Sequence, residues 1–273
     1  MKKNDWIFVF PLILALTAIA SFLSINNPEF YYRDSIIIAV KSHNLDLINL
    51  CIIVPIGLFM FIKARRRSYG AELFILGIMA YLAFMFGFNA LSLHFNELFL
   101  IYTALFSLNV YGIIFGFAHV KRSGNYREKS KKIIFSAIFL LLFAVTAYSA
   151  WLIEIVSSII HNLIPESITG MGLPVSVVHV FDLVFALPAI VIGAFLLLKG
   201  KTSGLIISSI MVTFVFFVCI GQLGMELALL FQGFHVDEGI LYSMYILTPL
   251  SVFPMLTLFK ALSSIDKNQL SYR

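Results

Sequence analysis

The sequence predicts an all-α polytopic integral membrane protein with eight transmembrane helices, on three observations. Of its 273 residues, 60% are hydrophobic and only 12% charged, which is outside the range of soluble domains. The apolar residues fall into runs long enough for the roughly 20-residue helix that crosses a bilayer. Basic residues cluster on every second connection between those runs. Because hydrocarbon cannot hydrogen-bond a bare backbone, the spanning forms are helices or a closed barrel, and uninterrupted runs without period-2 alternation select helices.

The runs place spans at Trp6–Ser24, Leu45–Ile62, Tyr69–Leu93, Leu98–Val120, Ile133–Glu154, Val175–Leu198, Leu205–Phe231 and Ile240–Ala261. The first span, with Lys2, Lys3 and Ala18-Ile19-Ala20, imitates a cleavable signal peptide, but the apolar run continues past the cut and predicts a retained anchor. Lys63 to Arg67 follow the second span, Lys121 to Lys132 the fourth, and Lys199 and Lys201 the sixth. Lys260, Lys267 and Arg273 close the chain. Of the 19 Lys and Arg residues, only Arg33 and Lys41 fall on the other connections, so both termini are expected in the cytosol. A prokaryotic cytoplasmic membrane is the simplest setting. The net charge of +5 is a topology signal and calls for no nucleic-acid partner. Cys51 and Cys219 lie in apolar runs and form no disulfide framework.

Between the spans, Ile25–Asn44 and Ile155–Pro174 are the long outer connections. Ser157–Ile164 could lie in the interface as a short helix, and Phe30, Tyr31 and Tyr32 suit an interfacial aromatic belt.

One pattern occurs twice. His43-x-x-Asp46-Leu47 is followed by Gly57, Phe59 and Lys63; 136 positions later, His179-x-x-Asp182-Leu183 is followed by Gly193, Phe195 and Lys199 without a gap. Four crossings return the chain to its starting side, so this predicts two parallel four-helix repeats, residues 1–132 and 133–273, related by an axis along the membrane normal. Pro55 and Pro188 interrupt the helices that carry the pattern.

Ionisable residues within a membrane are costly and by default suggest function. Here they and other polar residues collect in the outer half: Asp182 with His179, Glu226 with Gln222, Asp46 with His43, and Asn89. The expectation is a polar concavity open to the extracytosolic side. Asn109 either extends that path inward or hydrogen-bonds a neighbouring helix. Within a His-x-x-Asp pair, the carboxylate can orient the imidazole for proton transfer. Brought together, His43, Asp46, His179 and Asp182 would suit zinc, manganese or iron. Arg33-Asp34 reads as an exposed local ion pair.

Three functions remain open. A transporter or solute-binding protein would use Asp182, Glu226, Gln222 and His179 for a cation, proton or small polar solute. A metal-dependent membrane enzyme would use the two pairs as ligands and Glu226 as acid or base. An accessory or sensor protein would use the same groups for helix packing. No Walker A, dinucleotide loop, HExxH, GxSxG or CxxCH motif favours catalysis, and no cofactor is predicted beyond the candidate divalent metal. Oligomeric state is left open by the sequence. If the basic connections are cytosolic, a cysteine at Lys201 should react with impermeant maleimide from the inner face only. One at Asn162 should react from the outer face only.

Overall fold

The computed structural model describes residues 5–66, 68–120 and 131–270, with side chains from residue 7 to residue 262. Lys2, Lys3, Arg67, Lys121, Arg122, Arg127, Lys129 and Arg273 lie outside the described residues, as does the side chain of Lys267.

Eight helices are long and apolar enough to cross a membrane. They are α1 (Val9–Asn26), α2 (Ile36–Arg65), α3 (Tyr69–Ser92), α4 (Phe99–Val120), α5 (Lys131–Ile160), α6 (Val177–Leu198), α7 (Thr202–Phe231) and α8 (Glu238–Leu270). No strand occurs among the described residues. All eight predicted spans are present, and the principal differences are at helix starts and ends.

Helix α2 begins nine residues before its predicted start, because the Ser35 hydroxyl caps it by accepting the Ile38 amide at 3.3 Å. Lys41 and His43 are therefore helical residues and not part of a loop. At 30 residues, α2 is about 45 Å long, well beyond the roughly 30 Å hydrocarbon core. Helix α5 likewise continues through Ser157–Ile160, the stretch expected to lie in the interface.

Helices α3 and α7 form the centre. Their apolar windows are 83% and 78% buried, against 17–39% for the other six. They touch through small residues: a Cβ added at Gly77 of α3 would lie 2.4 Å from Thr213 Cβ and 2.9 Å from the Ile210 carbonyl oxygen of α7. Around this pair, α1 packs on α2 and α4, while α3 packs on α2 and α4. In the second half, α5 packs on α6 and α8, and α7 packs on α6 and α8. Each central helix also reaches across, α7 to the first part of α2 and α3 to the first turn of α6. Phe181 of α6 fills the latter contact, with its ring 5.9 Å from those of Phe84 and Phe106.

Both helices that carry the repeated pattern contain a five-residue π-helical turn, Asn49–Ile53 before Pro55 and Asp182–Ala186 before Pro188. The proline ring cannot donate and clashes with the carbonyl one turn back, so the helix widens just ahead of it. Accordingly, the Val54 amide bonds Asn49 O and the Leu187 amide bonds Asp182 O. These turns begin 133 positions apart (49 against 182), not 136. The glycines matched at 136 have different neighbours. Gly57 faces Leu14 and Phe10 of α1, whereas Gly193 faces Ile207 and Ser208 of α7.

The two ends differ in charge. One carries Lys63, Arg65, Lys131, Lys132, Lys199, Lys201 and Lys260; there Lys63 sits 4.5 Å over the Phe59 ring, and Tyr69 donates to Val120 O at 2.7 Å. The other, hereafter the acidic end, carries Glu29, Asp34, Glu97, Glu166, Asp237 and Glu238.

Gly77→Val should lower the thermal stability of the detergent-solubilised protein by about 1–3 kcal/mol, since the α3–α7 approach has no room for a branched side chain. Gly70→Ala, whose Cβ would meet only Phe259 Cδ1 at 3.4 Å, should leave it near wild type.

Candidate functional site

The polar residues near the acidic end form three clusters, each joining neighbouring helices. The first surrounds Asp46, the eleventh residue of α2 and about 15 Å along it. Asp46 is 1% exposed. Its Oδ1 accepts the Ser21 hydroxyl of α1 at 2.9 Å, and its Oδ2 accepts the Tyr31 phenol at 2.6 Å. Tyr31 belongs to a short 3-10 segment, Pro28–Tyr31, between α1 and α2. Its oxygen also lies 3.3 Å from Ser24 Oγ and 3.4 Å from the Tyr102 hydroxyl of α4. Burial first, and then the charge of Asp46, hold the Tyr31 phenol well above its ordinary pKa, so it remains a donor. No Lys, Arg or His pairs with Asp46 among the described residues.

The segment that carries Tyr31 is fastened to the α3–α4 connection. Asp34 Oδ1 accepts both the backbone amide and Nδ1 of His94 at 2.9 Å, with the Asp34 side chain wholly buried. Arg33 donates to Phe95 O at 3.2 Å, and Asn96 donates to Phe30 O at 3.3 Å. Asp34 thus binds His94, and Arg33 contributes separately to the closure; the expected Arg33–Asp34 pair does not form.

The second cluster joins the two halves. Glu226 of α7, 3% exposed, accepts Lys41 Nζ of α2 at 3.1 Å and Gln222 Nε2, one turn earlier on α7, at 2.7 Å. The third lies in the second half. Asp182 accepts the Trp151 indole N–H of α5 at 2.9 Å. His179 packs against the same indole, with ring centroids 4.4 Å apart. Its Nε2 is 3.7 Å from Glu154 Oε2 and 3.4 Å from Ser167 Oγ. Glu154 Oε1 accepts the Ser167 amide at 3.0 Å.

This geometry revises several expectations. His179 turns to Glu154 and Ser167, and Asp182 to Trp151, so the carboxylate does not orient the imidazole of its own motif. His43 is half-buried and has no side-chain hydrogen bond or ion pair among the described residues. Asp46 and Asp182 have separate partners, and no group of three or more His, Cys, Asp or Glu side chains could hold a metal among the described residues. The His43, Asp46, His179, Asp182 ligand set is therefore not assembled. Asn89 is buried and makes no side-chain hydrogen bond among the described residues, and Asn109 donates to Leu105 O of its own helix at 2.8 Å. A surface groove of about 450 Å³ lies on the flank of α5, lined by Leu152, Ile153, Val156, Ser157, Ile160 and His161. None of the predicted site residues lines it.

Sequence reasoning missed Ser21, Tyr31, Lys41, Tyr102, Trp151 and Glu154. Two weak signals were present: Ser21 and Ser24 share a face of α1 at i, i+3, and Trp151 and Glu154 do the same on α5.

No protein-family model, curated protein or solved structure matches this chain. The eight spans alone therefore define the class, a multi-pass α-helical membrane protein.

Lys41→Met leaves a buried carboxylate without its cation and should lower unfolding stability by about 2–3 kcal/mol in detergent. The double variant Lys41→Met/Glu226→Met should recover most of that loss. Additive losses would remove the Lys41–Glu226 pair as the reason.

Proposed function

We propose that this protein binds a proton, small cation or small polar solute from the extracytosolic side of a prokaryotic cytoplasmic membrane and moves it across, with both termini cytosolic. Asp46 is the principal binding group. The observation that carries this reading is a carboxyl 1% exposed whose recorded partners are hydroxyls alone. An uncompensated buried carboxylate is expensive, and a packing role would be served at lower cost by a neutral side chain. Glu226, Gln222, Asp182, His179, His43 and Asn89 lie toward the same end and supply the remaining polar surface of the path.

Two further features support this reading. Each half repeats a scheme in which its third helix is central and its second contains a proline-linked π turn. That supports a duplication of residues 1–132 as 133–273, with a 133-residue register in the second helices, and parallel repeats of this kind occur in transporters. Broken helices at membrane depth free backbone groups beside a bound ion.

A second reading, an accessory or sensor protein, is favoured by one observation: Glu226 and Asp182 each have a partner on a neighbouring helix, as packing residues do.

The two readings separate in proteoliposomes carrying a pH-sensitive dye, with an imposed potential. Wild type should show proton or cation flux, and Asp46→Asn should reduce it to the level of empty vesicles while eluting as a folded protein. Asp182→Asn should retain part of it. Equal flux from wild type and Asp46→Asn would end the transport reading and leave the accessory one.

A further inference from the structure

Asp46 sits within an oxygen-only cluster whose composition suggests what it binds. Besides its own carboxylate, and with the buried Tyr81 phenol of α3 within reach of its charge, the hydrogen-bonded atoms of the cluster are the hydroxyls of Ser21, Ser24, Tyr31 and Tyr102. They come from α1, the 3-10 segment, α2 and α4, so four separate stretches of chain converge on one point. Hydroxyl and carboxylate oxygens are hard donors that suit alkali and alkaline-earth cations, and neither sulfur nor imidazole is among them.

Charge then narrows the class. The cluster contains one carboxylate and no cationic side chain, whereas the neighbouring carboxylate Glu226 already has Lys41 at 3.1 Å. A monovalent cation would make the Asp46 cluster neutral. A divalent cation would leave a net positive charge in a low-dielectric interior, which is costly. Size points the same way. Ser21 and Tyr31 stand 2.9 and 2.6 Å from the carboxylate, and Ser24 and Tyr102 stand 3.3 and 3.4 Å from the Tyr31 oxygen, so a small ion requires only a modest outward movement of the hydroxyls. A large one would have to displace Ser24 and Tyr102, which are 0% and 1% exposed.

Access is also built in. Tyr31 closes the cluster from the acidic end, and its segment is held down by Asp34–His94, Arg33–Phe95 O and Asn96–Phe30 O. Release of those contacts, the Asp34–His94 pair with its buried carboxylate included, would lift Tyr31 and open the Asp46 carboxylate to the acidic end.

We propose that Asp46, with Ser21, Ser24, Tyr31 and Tyr102, forms an occluded binding site for a sodium-sized monovalent cation, closed by Tyr31. This rests on the cation- or proton-binding reading above and names the ion class for the same carboxyl.

The test uses the full-length protein in detergent, with thermal unfolding followed at constant ionic strength in sodium, lithium, potassium, calcium or choline chloride. A ligand that binds only the folded state raises the unfolding midpoint in a saturable, concentration-dependent way. Sodium or lithium should raise the wild-type midpoint above that in choline, with potassium and calcium weaker. Asp46→Asn and Tyr31→Phe should abolish the sodium-dependent rise, and Glu166→Gln, at an exposed residue of the acidic end, should keep it. If a variant does not fold, isotope-labelled sodium retained by wild type and by Ser21→Ala provides the second measurement, with weaker retention expected in Ser21→Ala. No difference between sodium and choline in wild type overturns the ion assignment. If proton flux through the proteoliposomes still depends on Asp46 in that event, the carboxyl serves a proton and the broader reading stands. A sodium-dependent rise that persists in Asp46→Asn places the ion elsewhere and overturns the proposed site.

Discussion

The constraint that shapes this molecule is that lipid cannot solvate a polar side chain, so each buried carboxyl must find its partners within the protein. Asp46 draws α1 and the 3-10 segment onto α2, and Tyr31 in turn meets Tyr102 of α4. Glu226 ties α7 to α2 across the two halves. Asp182, through Trp151, ties α6 to α5. The polar groups therefore act at the periphery of the bundle near one end. Its centre, where α3 meets α7, is held by close approach of small residues and by apolar packing around them. Without a hydrophobic effect between helices in lipid, these two devices are the main sources of specific association.

The arrangement divides the acidic end into a connecting segment and the helices beneath it. The segment from Pro28 to Ser35 is attached by side chain and backbone hydrogen bonds, several of them solvent-exposed, and Tyr32 stands 69% exposed beside it. Bonds of this kind exchange with water at small net cost. Beneath it, Ser21, Ser24 and Tyr102 are fixed in helices and fully enclosed. The occluding site proposed above needs such a cover over an enclosed polar cluster, so that opening need not disturb the groups that do the binding.

Much of this was legible in the sequence, and the failures have physical causes. All eight spans could be read because length and apolarity are local properties. The start of α2 could not, because the run of Ile36 to Val40 is interrupted by Lys41, His43 and Asn44, and a helix capped at Ser35 needs tertiary partners to keep them. Lys41 read as an outer-loop cation because its counter-charge, Glu226, is 185 residues away. The 136-residue match pairs His43 with His179 and Asp46 with Asp182. The π turns, set instead by Pro55 and Pro188, fall at 133, which brings Asp46 opposite His179 and Asn49 opposite Asp182. In that register, one buried polar residue of each second helix faces the first helix and connecting loop of its own half: Asp46 faces Ser21 and Tyr31, and His179 faces Trp151, Glu154 and Ser167.

The contrast between the two most deeply buried carboxylates of the described spans then decides which one is free to act. Glu226 has a lysine and an amide, and a pair of opposite charges in contact is the state that a low-dielectric medium favours once both are already inside. Separating that pair to admit a ligand exposes two charges at once. Asp46 has only dipoles around it, and four hydroxyls can reorient to donate to an anion, accept from a proton or coordinate a cation. A cation entering there gains the full attraction of an unneutralised carboxylate and displaces no existing ion pair. Under the proposed cation-binding reading, Asp46 is therefore the group that meets the ion, while the Lys41–Glu226 pair ties α7 to α2.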